Sequence, residues 1–205
     1  MQLSTIFSII ILIMSVVVHE VSHGYAARSL GDRTAEYAGR LTLNPLKHID
    51  WLGSVILPLL LVFSGSSFLI GWAKPVPYNP YNLRNQKWGE AYVAGAGPLS
   101  NIILALFFGL IIRFGSYGIL PPAFIEISFM IVLINIVLAI FNLVPIPPLD
   151  GSKILFSFLP QRLQILRRDM ERYSLVFLVI FIFFLWQFLT PVIGYFFRII
   201  TGISF

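Results

Sequence analysis

The five residues His19-Glu20-Val21-Ser22-His23 bring together the side chains best suited to chemistry in this sequence. Residues four apart lie on one face of an α-helix, so the two imidazoles can point at one metal ion. Glu20, one step round the helix, then faces a water molecule at the same site. This HExxH spacing is typical of zinc peptidases. It also fits an amphipathic helix end, with histidines at lipid headgroups and the glutamate in a local ion pair.

The motif closes an apolar stretch, Leu3 to Val18, that contains no charged residue. Of the 205 residues, 58% are hydrophobic and 11% are charged, and the mean hydropathy is +0.87, which is far from a soluble globular composition. We therefore predict an all-α polytopic membrane protein. The 14 Lys and Arg residues behind the net charge of +5 cluster between apolar runs. Such clustering indicates which side of the membrane the loops face and that they contact anionic lipid. It does not indicate nucleic-acid binding.

The apolar runs predict a single integral-membrane domain, residues 1–205, with a three-span catalytic core and one or two C-terminal helices. The length suits four to six spans of about 20 residues each. Core spans are expected over residues 3–30, 91–112 and 125–144, and a C-terminal span over residues 173–200, which is either continuous or broken at Pro191.

Two segments between the core spans do not read as regular transmembrane helices. Residues 33–50 are polar and alternate weakly over residues 38–43, which predicts a short interfacial strand or hairpin. Residues 51–72 are apolar but interrupted by Pro58 and several glycines. They either cross the bilayer or enter it and return as a re-entrant segment.

The basic residues favour the re-entrant alternative. If residues 51–72 return, the clusters within residues 28–47, 74–87 and 153–172 all lie on one side, which the positive-inside rule assigns to the cytoplasm. Arg28 follows His19 by nine residues, or about 14 Å at the helical rise. We thus expect a multi-pass cell-membrane protein, of prokaryotic type, whose HExxH motif lies inside the membrane nearer the cytoplasmic face.

A zinc ion held by two histidines needs a third protein ligand if one position is to remain for water. The chain has no Cys, so the candidates are acids and His48, which we interpret as an interfacial loop residue. The acids of the first polar loop, among them Asp32, are interpreted as turn formers or local ion pairs. Asp150 differs because three prolines end the preceding span and leave it near the depth of His19. Its alternative role is the N-cap of the next helix.

Three motifs together resemble one known family. HEVSH, AGPLSN at residues 96–101 and NLVPIPPLDG at residues 142–151 are similar to the site-2 proteases, which are intramembrane zinc metalloproteases. The stretches GRLTLNPLKHIDWLGS and GWAKPVPYNP resemble a compact prokaryotic branch without an extra N-terminal span or a PDZ domain. A chain of that branch lacks the PDZ domain with which other family members recognise substrates.

The resemblance implies a role for each motif residue. His19, His23 and Asp150 would bind one zinc ion, and Glu20 would be the catalytic acid/base. Asn142 would lie near the active site and hydrogen-bond the substrate backbone, or alternatively bond a neighbouring helix.

The implied function is hydrolysis of a peptide bond within or near a transmembrane segment of a membrane protein. The expected partners are therefore such a substrate and the lipid bilayer. Because a substrate helix must unwind first, residues 71–78 either offer it an edge strand or serve as a plain interfacial linker. The alternative function is a non-catalytic membrane metal-binding or assembly protein that keeps the protease fold. Such a protein would not need the acid at Glu20.

Overall fold

A computed structural model describes residues 3–56, 60, 63, 72–115, 120–160 and 164–203. Across these residues the regular elements are helical and none is a strand, so the predicted all-α polytopic membrane fold is confirmed. The α-helices are α1 (Leu3–Ser29), α2 (Thr34–Tyr37), α3 (Gly89–Gly115), α4 (Pro122–Leu143), α5 (Asp150–Phe158), α6 (Gln164–Arg172), α7 (Ser174–Ile180) and α8 (Trp186–Thr201). Shorter 3-10 turns are Pro45–His48 and Pro80–Asn82, and π-helical turns are Trp51–Ile56 and Phe181–Leu185.

Helices α1, α3 and α4 are each long and apolar enough to cross a membrane, and they overlap the three core spans expected from the sequence. Helices α7 and α8, with the π-helical turn between them, pass the same test only as a bent pair. The chain turns by 70° between Phe184 and Gln187. Pro191 lies inside α8, so the bend precedes the proline at which a break was expected.

Helix α3 is the centre of the bundle, with α1 and α4 against it and α8 closing one end. Gly109 allows this approach, because a Cβ there would collide with Ile200 of α8. The buried apolar core between α3, α4 and α8 consists of Ala105, Ile112, Val132, Ile136, Ile193 and Phe197. The other end of α3, toward its N-terminus, faces α1 and the HExxH motif.

The two ends of the apolar segment 51–72 lie side by side. The Trp72 N–H donates to the Gly53 carbonyl (3.2 Å), and the Ser54 hydroxyl donates to the Trp72 carbonyl (2.7 Å). A Cβ on Gly53 would collide with the Trp72 indole. This contact favours the re-entrant alternative, because a chain that had crossed the bilayer would not return beside its starting point. Residues 57–59, 61–62 and 64–71 lie outside the described part.

The interfacial strand expected over residues 38–43 is not formed, and this part of the prediction is wrong. Gly39 has a φ of 61° and reverses the chain directly after α2. Arg40 then bridges to the neighbouring segment with its side chain, whose Nη2 donates to the Lys74 carbonyl (2.7 Å). The weak alternation therefore reflects one buried arginine rather than a pleated strand.

Helix α1 ends at Ser29, one residue before the end of the expected span, and Gly31 follows with a φ of 109°. Asp32 follows, and it is fully buried (0% exposed). Its carboxylate accepts four hydrogen bonds, two from Thr34 and one each from the Asn79 N–H and the Asn82 amide. It thus fastens the end of α1 to the segment that leads into α3, which is more than the turn former expected from the sequence.

Burial raises the pKa of Asp32, but these hydrogen bonds outweigh burial and hold the pKa below its ordinary value. The stabilisation is then complete above the unfolded-state pKa of about 4 and is lost as the pH falls through the lower folded-state value. We expect Asp32→Ala to lower the melting temperature of the detergent-solubilised protein at pH 7, and the difference from wild type to shrink below pH 4. Asp169→Ala, on the exposed side of α6, is the control, and equal melting of Asp32→Ala and wild type at pH 7 would contradict the assignment.

Candidate metal centre

Two histidines of α1 and the first residue of α5 meet inside the bundle. The Nε2 atoms of His19 and His23 are 3.1 Å apart, and each is 3.1 Å from Oδ2 of Asp150. The three residues are only 5%, 8% and 6% exposed. The structure therefore brings together all three predicted ligands, although Asp150 is 131 positions from His19 in the chain.

The outer ring nitrogens show which atoms face the centre. Nδ1 of His23 is 2.7 Å from the Val93 carbonyl oxygen, which can only accept, so this nitrogen carries the hydrogen. Nδ1 of His19 is 2.6 Å from Oδ1 of Asn101 and donates likewise. Both Nε2 atoms then present lone pairs to each other and to a carboxylate oxygen. Three acceptors at this separation require a cation between them, either a metal ion or protons in its absence.

The donor set fits zinc in kind and in size. Imidazole nitrogen and carboxylate oxygen are ordinary zinc ligands, at about 2.0–2.2 Å from the ion. Three atoms at 3.1 Å from one another lie on a circle of radius about 1.8 Å. At this separation all three atoms could reach one zinc ion at its ordinary bond lengths, and three protein ligands would leave a position for water.

One face of α3 shapes the centre. Val93, Gly97 and Asn101 are four residues apart and hence line up along the helix. Val93 and Asn101 bind the outer nitrogens, and Gly97 lies directly over the rings. A Cβ on Gly97 would come within 2.5 Å of Nε2 of His23 and 2.6 Å of Nε2 of His19.

Gly97→Ala is therefore expected to displace both imidazoles and to weaken zinc binding by at least about tenfold, since even outer-shell changes cost about 10–100-fold. Gly95→Ala on the same helix is the matched control, because a Cβ there meets nothing within 4 Å. The measurement is a chelator competition on the purified protein in detergent. Equal zinc affinities of the two variants would show that Gly97 does not limit the space at the centre.

Asp150 is held at the centre by the turn that precedes it. Helix α4 ends at Leu143, and α5 begins at Asp150, with Leu149 as N-cap and no side-chain capping bond. A Cβ on Gly151 would collide with the carbonyl groups of Leu143 and Val144, so only glycine lets α5 start against the end of α4. The carboxylate of Asp150 faces the histidines and makes no capping hydrogen bond at the start of α5. The N-cap alternative therefore lacks the bond that defines it.

Among the described residues, Lys153 is the lysine or arginine that pairs with this carboxylate. Its Nζ is 3.4 Å from Oδ1 of Asp150, the oxygen turned away from the histidines, and lies 5.6 Å above the Tyr78 ring. Burial lowers the pKa of Lys153, but the neighbouring Tyr78, Asp150 and Glu20 raise it by more. The ammonium group therefore stays charged and orients Asp150 with Oδ2 toward the centre.

Glu20 is half-buried beside the ligands. Its Oε2 accepts a hydrogen bond from the Val76 N–H (2.8 Å), while Oε1 has no hydrogen-bond partner among the described residues. Val76 belongs to residues 72–79, which have no regular secondary structure and pass beside α1. Gly24 permits this approach, since its Cβ would come within 2.8 Å of Val76.

Residues 72–79 are fixed from the other side as well. The Lys74 N–H donates to the His48 carbonyl (2.9 Å), and Arg40 donates to the carbonyls of Lys74 and Pro75. Nε2 of His48 lies 2.9 Å from the Thr42 carbonyl oxygen, so His48 is a buried loop residue outside the ligand set. These bonds fix the backbone at Lys74 and Pro75.

The structure does not bring Asn142 into contact with the three ligands. Its side-chain amide donates to the Leu138 carbonyl of its own helix (2.9 Å). Conversely, Asn101, Gly97 and Lys153 touch or approach the ligands although the sequence reasoning gave them no role. The signal for Asn101 was a polar amide inside an apolar span, and the signal for Lys153 was a charged group close to the end of one. Gly97 gave no such signal.

The chain is similar to one described protein family and to several named proteins. The model of a family described as peptidase family M50 matches residues 7–119 and 119–185. YwhC of Bacillus subtilis is 38% identical over 183 residues, which are 86% of this chain and 80% of that protein. Rip2 of Mycolicibacterium smegmatis is 32% identical over 142 residues, 68% of this chain and 52% of that protein. MJ0611 of Methanocaldococcus jannaschii is 31% identical over 157 residues, 73% of this chain and 72% of that protein. All three are named as zinc metalloproteases, and no solved structure gives a significant match.

Proposed function

The chain belongs to peptidase family M50, the site-2 proteases, and is a multi-pass membrane metalloprotease; from this premise we propose that it cleaves its substrate inside the membrane. The bond hydrolysed lies within or near a transmembrane segment of a membrane protein. One observation carries the proposal: His19 and His23 of a zinc-type ligand set, and the Glu20 carboxylate beside them, lie on α1, which is long and apolar enough to cross a membrane. The family membership also confirms the resemblance drawn from the three sequence motifs.

One zinc ion would be held by Nε2 of His19, Nε2 of His23 and Oδ2 of Asp150, whose ligand atoms all lie within 4.8 Å of one another. When bound, zinc supplies a water molecule that is acidic enough to ionise near neutral pH and a positive charge beside the peptide carbonyl. Asn101 and Val93 hold the two imidazoles in the orientation that this requires. Lys153 holds Asp150.

Glu20 would be the acid/base of the reaction. Its Oε1 has no partner among the described residues, so it can take the proton of the attacking water and deliver it to the leaving nitrogen. The Val76 N–H meanwhile holds Oε2. This bond fixes the rotation of the carboxylate and leaves only one oxygen for proton transfer.

The substrate would enter as a locally unwound segment. A helical segment hides its carbonyl groups in hydrogen bonds, and they become accessible to attack only after unwinding. Residues 72–79, which pass beside Glu20 without regular secondary structure, would form the wall along which such a segment lies. Asn142, whose amide can leave the Leu138 carbonyl, would hydrogen-bond the substrate backbone.

We place the metal centre nearer the cytoplasmic face of the cell membrane. His19 and His23 lie in the half of α1 that ends at Arg28, on the side of Arg40 and Lys74. Arg113 lies at the opposite end of α3, where its guanidinium donates to the Ile199 carbonyl of α8 (2.7 Å). The majority of basic residues therefore share the side of the centre, as the positive-inside rule requires of a cytoplasmic face.

The proposal is tested by comparing the membrane proteomes of cells that carry either the wild-type chain or Glu20→Gln. Uncut single-span membrane proteins should accumulate only with the variant. If the two proteomes are the same while both proteins bind zinc, the non-catalytic metal-binding alternative is supported instead.

A further inference from the structure

Behind His19 lies a buried row of polar side chains, of which the proposed reaction uses only Asn101. It consists of Ser15 of α1, Asn101 of α3 and Asn135 of α4. The two asparagines are 0% exposed and Ser15 is 4% exposed. Asn135 makes no hydrogen bond to any of the three ligands, and it lies in the middle of the most apolar of the three spans.

The orientation of Asn135 is fixed by a backbone carbonyl. Its Nδ2 donates to the Ile131 carbonyl (2.8 Å) and to the Ser15 hydroxyl oxygen (2.9 Å). A carbonyl oxygen can only accept, so Nδ2 must be the atom on that side. Oδ1 of Asn135 is thereby turned toward Asn101.

The orientation of Asn101 follows from that of Asn135. Its Nδ2 is 2.7 Å from Oδ1 of Asn135 and 3.5 Å from the Ser15 carbonyl oxygen, and both of these atoms accept. Oδ1 of Asn101 is then the atom left to face Nδ1 of His19, at 2.6 Å. If the Asn101 amide were reversed, its oxygen would meet two other acceptors in a fully buried site.

Resting on the metal centre proposed above, we propose that Asn135 acts as a positioning residue that selects the tautomer of His19 through Asn101 and so sets the affinity for zinc. With Oδ1 of Asn101 facing it, Nδ1 of His19 carries the hydrogen and Nε2 keeps its lone pair for the ion. A reversed Asn101 would offer an N–H to Nδ1 and favour the hydrogen on Nε2. That tautomer cannot bind the ion through Nε2.

The test variant is Asn135→Leu, which keeps the number and branching of the side-chain heavy atoms and removes the acceptor. The change lets Asn101 reverse and withdraw its acceptor from His19, so the zinc dissociation constant of the full chain in detergent is expected to rise by up to about 10–100-fold, the usual effect when a histidine ligand loses its outer-shell partner. The ¹⁵N spectrum of His19 in the metal-free protein should change from the Nδ1–H pattern to a mixture of tautomers. Ser128→Ala is the matched control, because Ser128 is equally buried on α4 and its hydroxyl has no hydrogen-bond partner in the described part of the chain.

A second background separates tautomer selection from a general structural role. A carboxylate presents an acceptor to His19 whichever way it is turned, so in the Asn101→Asp background the Asn135→Leu change should no longer weaken zinc binding. An equal loss in both backgrounds would overturn the proposal, as would an unchanged dissociation constant and ¹⁵N spectrum in Asn135→Leu alone. If Asn135→Leu does not yield folded protein, Asn135→Ala removes the same acceptor and carries the same expectations. Failure of the wild-type chain to bind zinc would instead refute the proposed metal centre.

Discussion

Glu20→Gln is expected to lower the rate of substrate cleavage by at least about 100-fold, because general acid–base catalysis contributes about 10²–10⁴-fold. The amide keeps the size of the carboxylate, and its oxygen can still accept the Val76 N–H. It cannot take a proton from water. Zinc content should be unchanged, because Glu20 is not one of the three grouped ligands.

The measurement pairs cleavage of a membrane-tethered reporter with elemental analysis of the purified protein. Glu126→Gln is the matched control, since Glu126 is exposed near the start of α4. This variant should cleave the reporter at the wild-type rate. Wild-type turnover by Glu20→Gln would refute the acid/base assignment. Loss of zinc from this variant would instead make Glu20 a ligand.

Asp150→Ala has the largest expected effect on the metal. A lost outer-shell partner typically costs about 10–100-fold in affinity, and loss of one of three protein ligands should cost more, so we expect zinc affinity to fall by more than about 100-fold. Cleavage should be lost together with the metal. Chelator competition gives the affinity, with Asp169→Ala as a control because Asp169 is exposed on α6.

The same variant also decides between a ligand and an N-cap. A cap residue contributes about 1 kcal/mol to stability, whereas no capping bond forms at the start of α5. The metal-free variant should therefore melt close to the metal-free wild type. Unchanged zinc affinity with a clear loss of metal-free stability would support the cap and contradict the ligand.

The parts of the centre that are local in sequence could be predicted from it. The i, i+4 spacing of His19 and His23 puts them on one helical face, and prolines after α4 set Asp150 apart from the other acids. The three long helices follow from apolar runs of sufficient length. Each of these signals depends only on residues near one another in the chain.

The contacts that orient the ligands are not local and could not be predicted in this way. His19 and Asn101 are 82 positions apart, and Asp32 and Asn82 are 50 apart. An amide such as Asn135 in an apolar helix signals a polar partner, but only the packing of α1, α3 and α4 identifies that partner. The expected strand over residues 38–43 failed for the same reason, because Arg40 is buried by a distant segment that periodicity does not record.

Mapping the cleavage site gives the most direct evidence on intramembrane proteolysis. The purified chain would be placed in liposomes with the single-span protein that accumulates most in Glu20→Gln cells, and the new termini would be identified by mass spectrometry. We predict one cut within or next to the apolar segment, present with zinc and absent with a chelator or with Glu20→Gln. A cut confined to a soluble loop, or one that persists in Glu20→Gln, would contradict zinc-dependent cleavage inside the membrane.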